Sequence, residues 1–378
     1  MSFKIAKNFP ADLPLNKEGP FISLYQTTQV HPLDKGNIIT FKNLVKEALE
    51  LIQQRYGKRI IDKFSIPLET IISDLDFWLY ATQGIAVFVN KEECIVFRLN
   101  QPVENQVFVN DKIVVRPIIA AFQNPIEAYV LALTKDNFSV YECDFSSIRK
   151  VEFSEKIKTT LKEVLGDQKT DAYVGFGSTG TRSSSGLFYG QGGKKEEVDL
   201  DTEKFFRYVD KTVLEECSKR RPIPVILTSV SKNQTVFRKI SNNPFLNPVG
   251  IALSPESISV QQLYEHVREV LQPEKRRRLQ MLVEKGTKAL HDNRASDLID
   301  EVVQAAISGQ IDQLLIDYDK RYLALIDWTT LDIVKNSADH DTDVFDEIAK
   351  IVLKNKGQVF IIDSNMMPTT TGICAVFR

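Results

Sequence analysis

The glycines of Gly175-Phe176-Gly177-Ser178-Thr179-Gly180 have the spacing of a dinucleotide-binding turn. That chemistry needs the third glycine to open a helix, so that a pyrophosphate rests on the free N–H groups of the first turn. Here Thr181-Arg182-Ser183-Ser184-Ser185-Gly186 follows, which is poor helix material, so the spacing alone does not make the site. Asp339-His340-Asp341-Thr342-Asp343, with Asp346 and Glu347, offers oxygen and nitrogen ligands to a cation. The run lacks the glycine of a calcium loop. It reads better as acids gathered at the first turn of a helix from Val344, where they favour the dipole. His31, His266, His291 and His340 have no nucleophile beside them, and no nucleophile elbow, zinc-protease pair or P-loop occurs. Lys275, Arg276, Arg277, Arg278, Lys285 and Lys288 stand against Glu274 and Glu284 alone. Such a stretch is either a phosphate-binding surface with salt-dependent affinity or a solvated helix face. None of these patterns requires a metal or a cofactor.

The densest signal is a loop. Residues 175–193 hold seven of the 17 glycines together with four serines, and end in Phe188-Tyr189-Gly190-Gln191-Gly192-Gly193-Lys194-Lys195-Glu196. Such a stretch cannot bury a core of its own. Paired glycines permit positive φ and let the backbone approach another molecule closely. The loop sits inside a folded unit rather than between units, which favours a projecting functional loop over a linker.

The elements that must carry it are readable from periodicity. Phe21–Tyr25 reads as a strand, and Phe41, Leu44, Val45, Ala48, Leu49 and Ile52 share one helical face, with Thr40 placed to cap its start and Gly57 its end. Strands are expected at 85–89, 95–99, 107–109 and 113–115. Runs 128–133 and 138–141, joined by Lys135-Asp136-Asn137, read as a hairpin. A strand at 171–174 precedes the loop. A helix over 201–219, with Phe206, Val209, Val213 and Cys217 on one stripe, follows it, and strands at 223–229 and 236–240 come next. Helices are expected at 260–271 and, after Pro273, from 274 to about 290. Further helices at 297–308 and 344–356, ended by Gly309 and Gly357, interleave with strands at 313–316, 322–326, 359–362 and 373–377.

The whole chain has 378 residues, 43% hydrophobic and 26% charged, with a formal net charge of −2. That length and composition fit a multidomain globular protein. No apolar run reaches the roughly 18 residues of a membrane span, the N-terminal residues lack the apolar core of a secretory signal, and the near-neutral charge disfavours DNA packaging. Cys94, Cys143, Cys217 and Cys374 lie far apart, so a reducing cytoplasm is expected.

In this order the pieces resemble the bacterial archaeo-eukaryotic release factor family, bacterial relatives of class-one release factors and Pelota. The opening Phe21-Ile22-Ser23-Leu24-Tyr25 with Phe41-Lys42-Asn43-Leu44-Val45-Lys46-Glu47-Ala48 is similar to the family's N-terminal domain. Tyr189-Gly190-Gln191-Gly192-Gly193-Lys194 with Phe205-Phe206-Arg207-Tyr208-Val209-Asp210 is similar to its middle domain. Phe345-Asp346-Glu347-Ile348-Ala349, Gly357-Gln358-Val359, Met367-Pro368 and Ala375-Val376-Phe377-Arg378 are similar to its C-terminal domain.

The resemblance implies an α+β and α/β multidomain protein. Its parts are an α+β domain over 1–125, a ribonuclease-H-like domain over 126–260 carrying the glycine-rich loop 175–195, and an L7Ae-like α/β domain over 261–378. It implies work at the ribosome in termination, rescue or protection. Contacts would go to rRNA or tRNA, a translational GTPase is a further partner, and neither membrane nor DNA is involved. In release factors a Gly-Gly-Gln tip helps water attack the peptidyl-tRNA ester. Here Gly192-Gly193 is followed by Lys194, and keeping Gln191 as the glutamine loses the first glycine, leaving Gln191 the one catalytic candidate. Efficient hydrolysis is therefore not expected, nor is stop-codon reading, since the Asn-Ile-Lys-Ser segment is missing. The expected contact residues are Gly190, Gln191, Gly192, Gly193, Lys194, Lys195 and Arg182 in the loop, with Arg276, Arg277 and Arg278 as a basic patch. Two alternatives stand beside this reading. One is a metal-dependent ribonuclease-H-like nuclease drawing on Asp136, Asp144 and Asp171; the other is a GTPase-binding interaction module.

Overall fold

The computed structural model describes residues 2–29, 35–99, 101–123, 127–144, 148–166, 191–326, 333–334 and 343–378, with backbone alone for 191–197, 325, 333 and 334. The described chain is mixed α and β with several sheets. It forms two compact units, one of Met1–Pro125 with Glu274–Arg378 and one of Ile126–Pro273.

Strands β1 (Lys4–Ala6), β2 (Phe21–Thr27), β3 (Gly84–Val89), β4 (Cys94–Leu99) and β5 (Gln106–Asn110) form a sheet in the order β1-β4-β3-β2-β5. Both faces are covered, so β3 is buried at every residue and reads as a continuous apolar run. One face receives α1 (Lys35–Tyr56) and α2 (Ile61–Ser73), whose Phe41, Leu44, Val45, Ala48, Ile52, Phe64 and Leu68 pack on Ile22, Leu24, Val87 and Val96. The helical face expected from periodicity is thus the buried one, and Gly57 ends α1 at φ +82°. Helix α1 starts at Lys35, however, so Thr40 lies inside it and caps nothing. A short α3 (Leu75–Leu79) is capped by Asp74, and residues 113–115 form no strand but lead into α4 (Arg116–Phe122).

The second unit holds β6 (Ala128–Leu133), β7 (Phe138–Cys143), β8 (Ile148–Lys150) and β9 (Val225–Thr228) in the order β8-β7-β6-β9. The expected hairpin is β6–β7, and β9 runs parallel to β6. Helices α5 (Leu161–Leu165), α6 (Gln191–Val213) and α7 (Ser231–Ile240) accompany it. Residues 236–240, expected as a strand, are therefore the end of a helix. Asn233, Gln234 and Phe237 recur at helical spacing and are its buried side.

Helix α8 (Val260–His291) runs unbroken through Pro273, where two helices were expected. The carbonyl deprived of its donor belongs to Glu269, which is exposed like Pro273, so it can be hydrated. Beyond it, β10 (Ala295–Ser296), α9 (Ile299–Ile307), β11 (Ile311–Asp317), β12 (Leu325–Ile326), β13 (Ile333–Val334), α10 (Val344–Lys354), β14 (Gln358–Ile362) and β15 (Ile373–Phe377) complete the first unit. The C-terminal sheet runs β10-β15-β11-β14, while β12 and β13 pair separately. Its Leu315, Phe360, Ile362 and Cys374 meet Leu279, Leu282 and Val283 of α8. The opposite face, with Leu314, Ile316 and Ile361, shares one core with α9, α10 and the Phe21, Tyr25, Phe88 and Phe97 side of the N-terminal sheet. No described helix is long and apolar enough to cross a membrane.

Candidate functional site

Of the expected contact residues, Arg182 and Gly190 lie outside the described residues, as do the GxGxxG run, the strand expected at 171–174 and Asp171. Gln191, Gly192, Gly193, Lys194 and Lys195 form the opening turn of α6, which begins ten residues before the start expected at 201. The first N–H groups of any helix lack an intrahelical acceptor. Two glycines in that turn make it the weakest part of the helix, each costing about 1 kcal/mol relative to alanine.

The rest of α6 is firmly held. Phe205, Phe206, Val209 and Val213 are fully buried with Phe138, Leu131 and Phe237. Phe206 meets Phe237 edge-to-face at 5.9 Å, and Phe138 lies 6.3 Å from Phe205. Polar ties reinforce the packing. The Ser241 hydroxyl and the Asn242 amide donate to the two oxygens of buried Asp210 at 2.5 and 2.9 Å. Lys232 of α7 pairs with Asp199 at 3.7 Å, and the Lys158 amide donates to the Tyr208 hydroxyl at 3.0 Å. At 1.5 Å per residue, the backbone of Gln191 stands about 15 Å along the axis from Asp201, the first buried position among the described side chains of the helix. A fixed stalk thus carries the glycine pair.

Of the carboxylates weighed for metal-dependent cleavage, the two described ones, Asp136 and Asp144, do not converge. Asp136 sits in the β6–β7 turn and Asp144 just past the other end of β7, paired with Arg149 at 3.0 Å. Six strand residues separate them, about 20 Å. No group of three His, Cys, Asp or Glu among the described residues could hold a metal ion. His266 and His291 sit beside Glu269 and Asp292, and His31 and His340 fall outside the described residues. All four cysteines are buried, and burial raises their thiols to about 12 for Cys94, Cys143 and Cys374 and about 11 for Cys217. None is a nucleophile at neutral pH.

The acids near residue 343 do more than favour a dipole. Asp343 caps α10 by accepting from the Phe345 amide at 3.1 Å, and also pairs with Arg116 at 2.5 Å. Asp346 is buried and accepts from the amides of Val115 and Arg116 at 2.8 and 2.9 Å. Lys350 lies 3.2 Å from Asp346 and 2.5 Å from Glu347, and donates to the Ile113 carbonyl at 2.9 Å. These residues join the segments 1–125 and 274–378, and no local sequence pattern marks Arg116 or Lys350 for that task. Residues 339–342 lie outside the described set.

Arg276, Arg277 and Arg278 are exposed on α8. Arg277 forks onto Glu274 at 3.0 and 2.8 Å. At about 100° per residue Arg277 and Arg278 lie at the two edges of one face, and Arg276 points away from it.

Residues 126–273 match the profile of Bacterial archaeo-eukaryotic release factor family 6. The resemblance read from the sequence is borne out for this segment. None of the curated proteins compared with the chain matches it. Among solved structures, S. cerevisiae Dom34, a translation termination-like factor involved in RNA quality control, is 14% identical, with 78% of this chain and 73% of that chain covered at a TM-score of 0.34. The archaeal translation termination factor aRF1 is 12% identical, with 95% and 92% covered at 0.24. An archaeal Pelota, in a ribosome-bound assembly with ABCE1, is 11% identical, with 96% and 91% covered at 0.38. The profile match covers residues 126–273.

Proposed function

We propose that this chain is a ribosome-associated translation factor of the release factor and Pelota kind, acting in rescue, protection or recruitment without efficient peptidyl-tRNA hydrolysis. The observation that carries the reading is the match of residues 126–273 to bacterial archaeo-eukaryotic release factor family 6. On this reading the four-stranded middle unit is a ribonuclease-H-like domain used without nuclease chemistry, in keeping with the separation of Asp136 and Asp144. The C-terminal segment is an L7Ae-like domain and the surface for a translational GTPase. The protein works in the cytoplasm.

The stalk α6 presents Gln191, Gly192, Gly193, Lys194 and Lys195 to rRNA or tRNA, with Gly190 and Arg182 in the preceding loop. Lysine cations contact phosphate and glycines allow close backbone approach. Hydrolysis of the ester needs a group that orients water and stabilises the developing charge. Lys194 places a flexible, strongly hydrated cation where a neutral amide would be required.

Sedimentation of the protein with ribosomes through sucrose at two salt concentrations tests the association, which should be present and weaker at high salt. Peptide release from loaded P-site tRNA tests the tip, comparing the native chain with Lys194→Gln and Gln191→Ala. Absent release with retained pelleting is expected. Robust native release lost in Gln191→Ala would instead make Gln191 a working glutamine. Failure to pellet at either salt would sink the ribosome reading.

A further inference from the structure

Charge is distributed unevenly along α8. Up to Pro273 it carries Glu265, Arg268 and Glu269, whereas from Glu274 to Lys288 six cations stand against two acids. The sheet-facing side of this second part is fixed by Leu279, Leu282, Val283 and Leu290, and by Gly286, where an added Cβ would lie 3.0 Å from Leu315 Cδ1. At about 100° per residue, Arg277, Lys288, Met281, Glu274, Lys285 and Arg278 fall within an arc of about 100° centred on the far, solvent side. Arg276 falls about 100° outside that arc.

Within the arc the cations differ in commitment. Arg277 is held by Glu274, and Lys285 by Asp312 at 3.2 Å. Arg278 and Lys288 are exposed and make no ion pair within 4 Å among the described residues, although the charge of Arg278 acts on Glu274 and that of Lys288 on Asp292. The field is positive enough that the hydrogen bonds of Arg277, and the charges of Arg277 and Arg278, hold the Glu274 carboxyl below its usual range. Between the cations lies Met281, an apolar side chain 57% exposed.

We propose that this stripe of α8, with Arg278 and Lys288 as its free cations and Arg277 and Lys285 as held ones, binds the phosphodiester backbone of an RNA duplex. The two free cations stand about 15 Å apart along the axis, enough to engage separate phosphates. A cation that gives up a carboxylate for a phosphate gains little, so the free pair dominates. Glu274 and Asp312 then act as brakes on binding. The inference rests on the ribosome-associated reading for its ligand, and assigns a contact separate from α6.

The test is fluorescence anisotropy of a short labelled RNA duplex against the full chain over a salt series, with ribosome pelleting run on the same variants. Arg278→Ala combined with Lys288→Ala should lower the slope of log affinity against log salt by roughly 1.5, and Arg276→Ala by clearly less. Asp312→Asn and Glu274→Gln, which release Lys285 and Arg277, should each tighten binding and steepen the slope. That gain would not arise from a fault in folding. If Arg276→Ala matches the double variant, or if neither releasing variant tightens binding, the stripe is a solvated face and the proposal is overturned. Native pelleting with unaltered duplex binding in every variant would also overturn it while leaving the ribosome reading intact. Loss of native pelleting would remove that reading, and the duplex slopes would still decide the stripe.

Discussion

Gln123 pairs with Ile361 as though it were a strand residue: its Nε2 donates to the Ile361 carbonyl at 2.9 Å, and the Ile361 amide donates to its Oε1 at 2.6 Å. Strand β14 is the last in its sheet, so Ile361 would otherwise present unpaired backbone groups at an edge. One side-chain amide from the end of α4 closes that edge and ties the N-terminal segment to the C-terminal sheet.

Replacing that amide by a carboxylate removes the donor and sets an oxygen against the Ile361 carbonyl. Gln123→Glu should cost about 1–3 kcal/mol at neutral pH. A carboxyl so placed has a folded pKa raised above its unfolded value. The protonated side chain regains a donor, so the deficit should shrink as pH falls through that folded pKa. The Ile361 amide keeps an acceptor in the carboxylate, so the lost bond is read from urea melts of native and variant chains across pH. Equal stability of the two at neutral pH would show that the donated bond contributes nothing.

Lys350 is the cation on which two buried carboxylates depend. Its own pKa is raised, because Asp346 and Glu347 outweigh the effect of burial, so its charge and its contribution persist up to and beyond pH 10.5. Burial raises the Asp346 carboxyl. Lys350→Met leaves that carboxylate facing Asp343 and Glu347 without its nearest cation and should destabilise the first unit by about 3–5 kcal/mol at pH 7. Since a raised carboxyl favours the protonated fold, the deficit should fall as pH drops through the folded pKa and level off below 3.8. Urea melts of native and variant chains at several pH values measure it. A deficit independent of pH would point to lost packing instead.

Leu263, Tyr264, Val267 and Leu271 of α8 cover Ala128, Val130, Cys143 and Ile226 on one face of the middle sheet. A fragment ending at 260, the boundary expected from sequence, lacks this cover, whereas one ending at 273 keeps it. Fragment 126–273 should be soluble with a slow-reacting Cys143, whose thiol burial holds at about 12. Fragment 126–260 should expose the sheet and label quickly with a thiol reagent. Equal labelling rates would mean that α8 adds little to this core.

Periodicity located most of what packs. The face of α1, the β6–β7 hairpin and α10 are buried as their apolar spacing requires, because burial is what that spacing reflects. Residues 236–240 read as a strand because Val236, Phe237 and Ile240 mimic one when the polar Asn233 and Gln234 are discounted. Both are buried: the Gln234 amide bonds the carbonyls of Ser229 and Ile251 at 3.0 and 2.8 Å. The site was less legible. Glycine content marked residues 191–195, but nothing local told that they open a helix. The contacts of Arg116, Asp346 and Lys350 join residues over 200 positions apart, beyond any window of pattern.

The end of α10 shows the same limit and is testable. Gly357 reads as the residue that ends the helix, yet the residue with positive φ is Lys356, at 60°. Gly357 is needed for space, since a Cβ there would lie 2.6 Å from Val352 Cγ1 and 2.8 Å from the Ile311 carbonyl oxygen. Lys356→Gly should therefore stabilise the unit by up to about 1 kcal/mol, and Gly357→Ala should destabilise it. Denaturant melts of the two variants should shift in opposite directions. Shifts of the same sign would remove the assignment.

The glycine pair at the start of α6 separates helix stability from function. Alanine is about 1 kcal/mol per residue more favourable than glycine within a helix, so Gly192→Ala with Gly193→Ala should strengthen the first turn of α6. Amides just beyond it should exchange more slowly. If the glycines serve close approach to RNA backbone, the added methyl groups should nevertheless weaken ribosome pelleting, and the two readouts should move apart. A variant with slower exchange and undiminished pelleting would show that the pair is not a contact surface. Loss of both would instead trace the defect to misfolding, which the near-ultraviolet signal of the phenylalanine-rich core around Phe205, Phe206 and Phe237 would register.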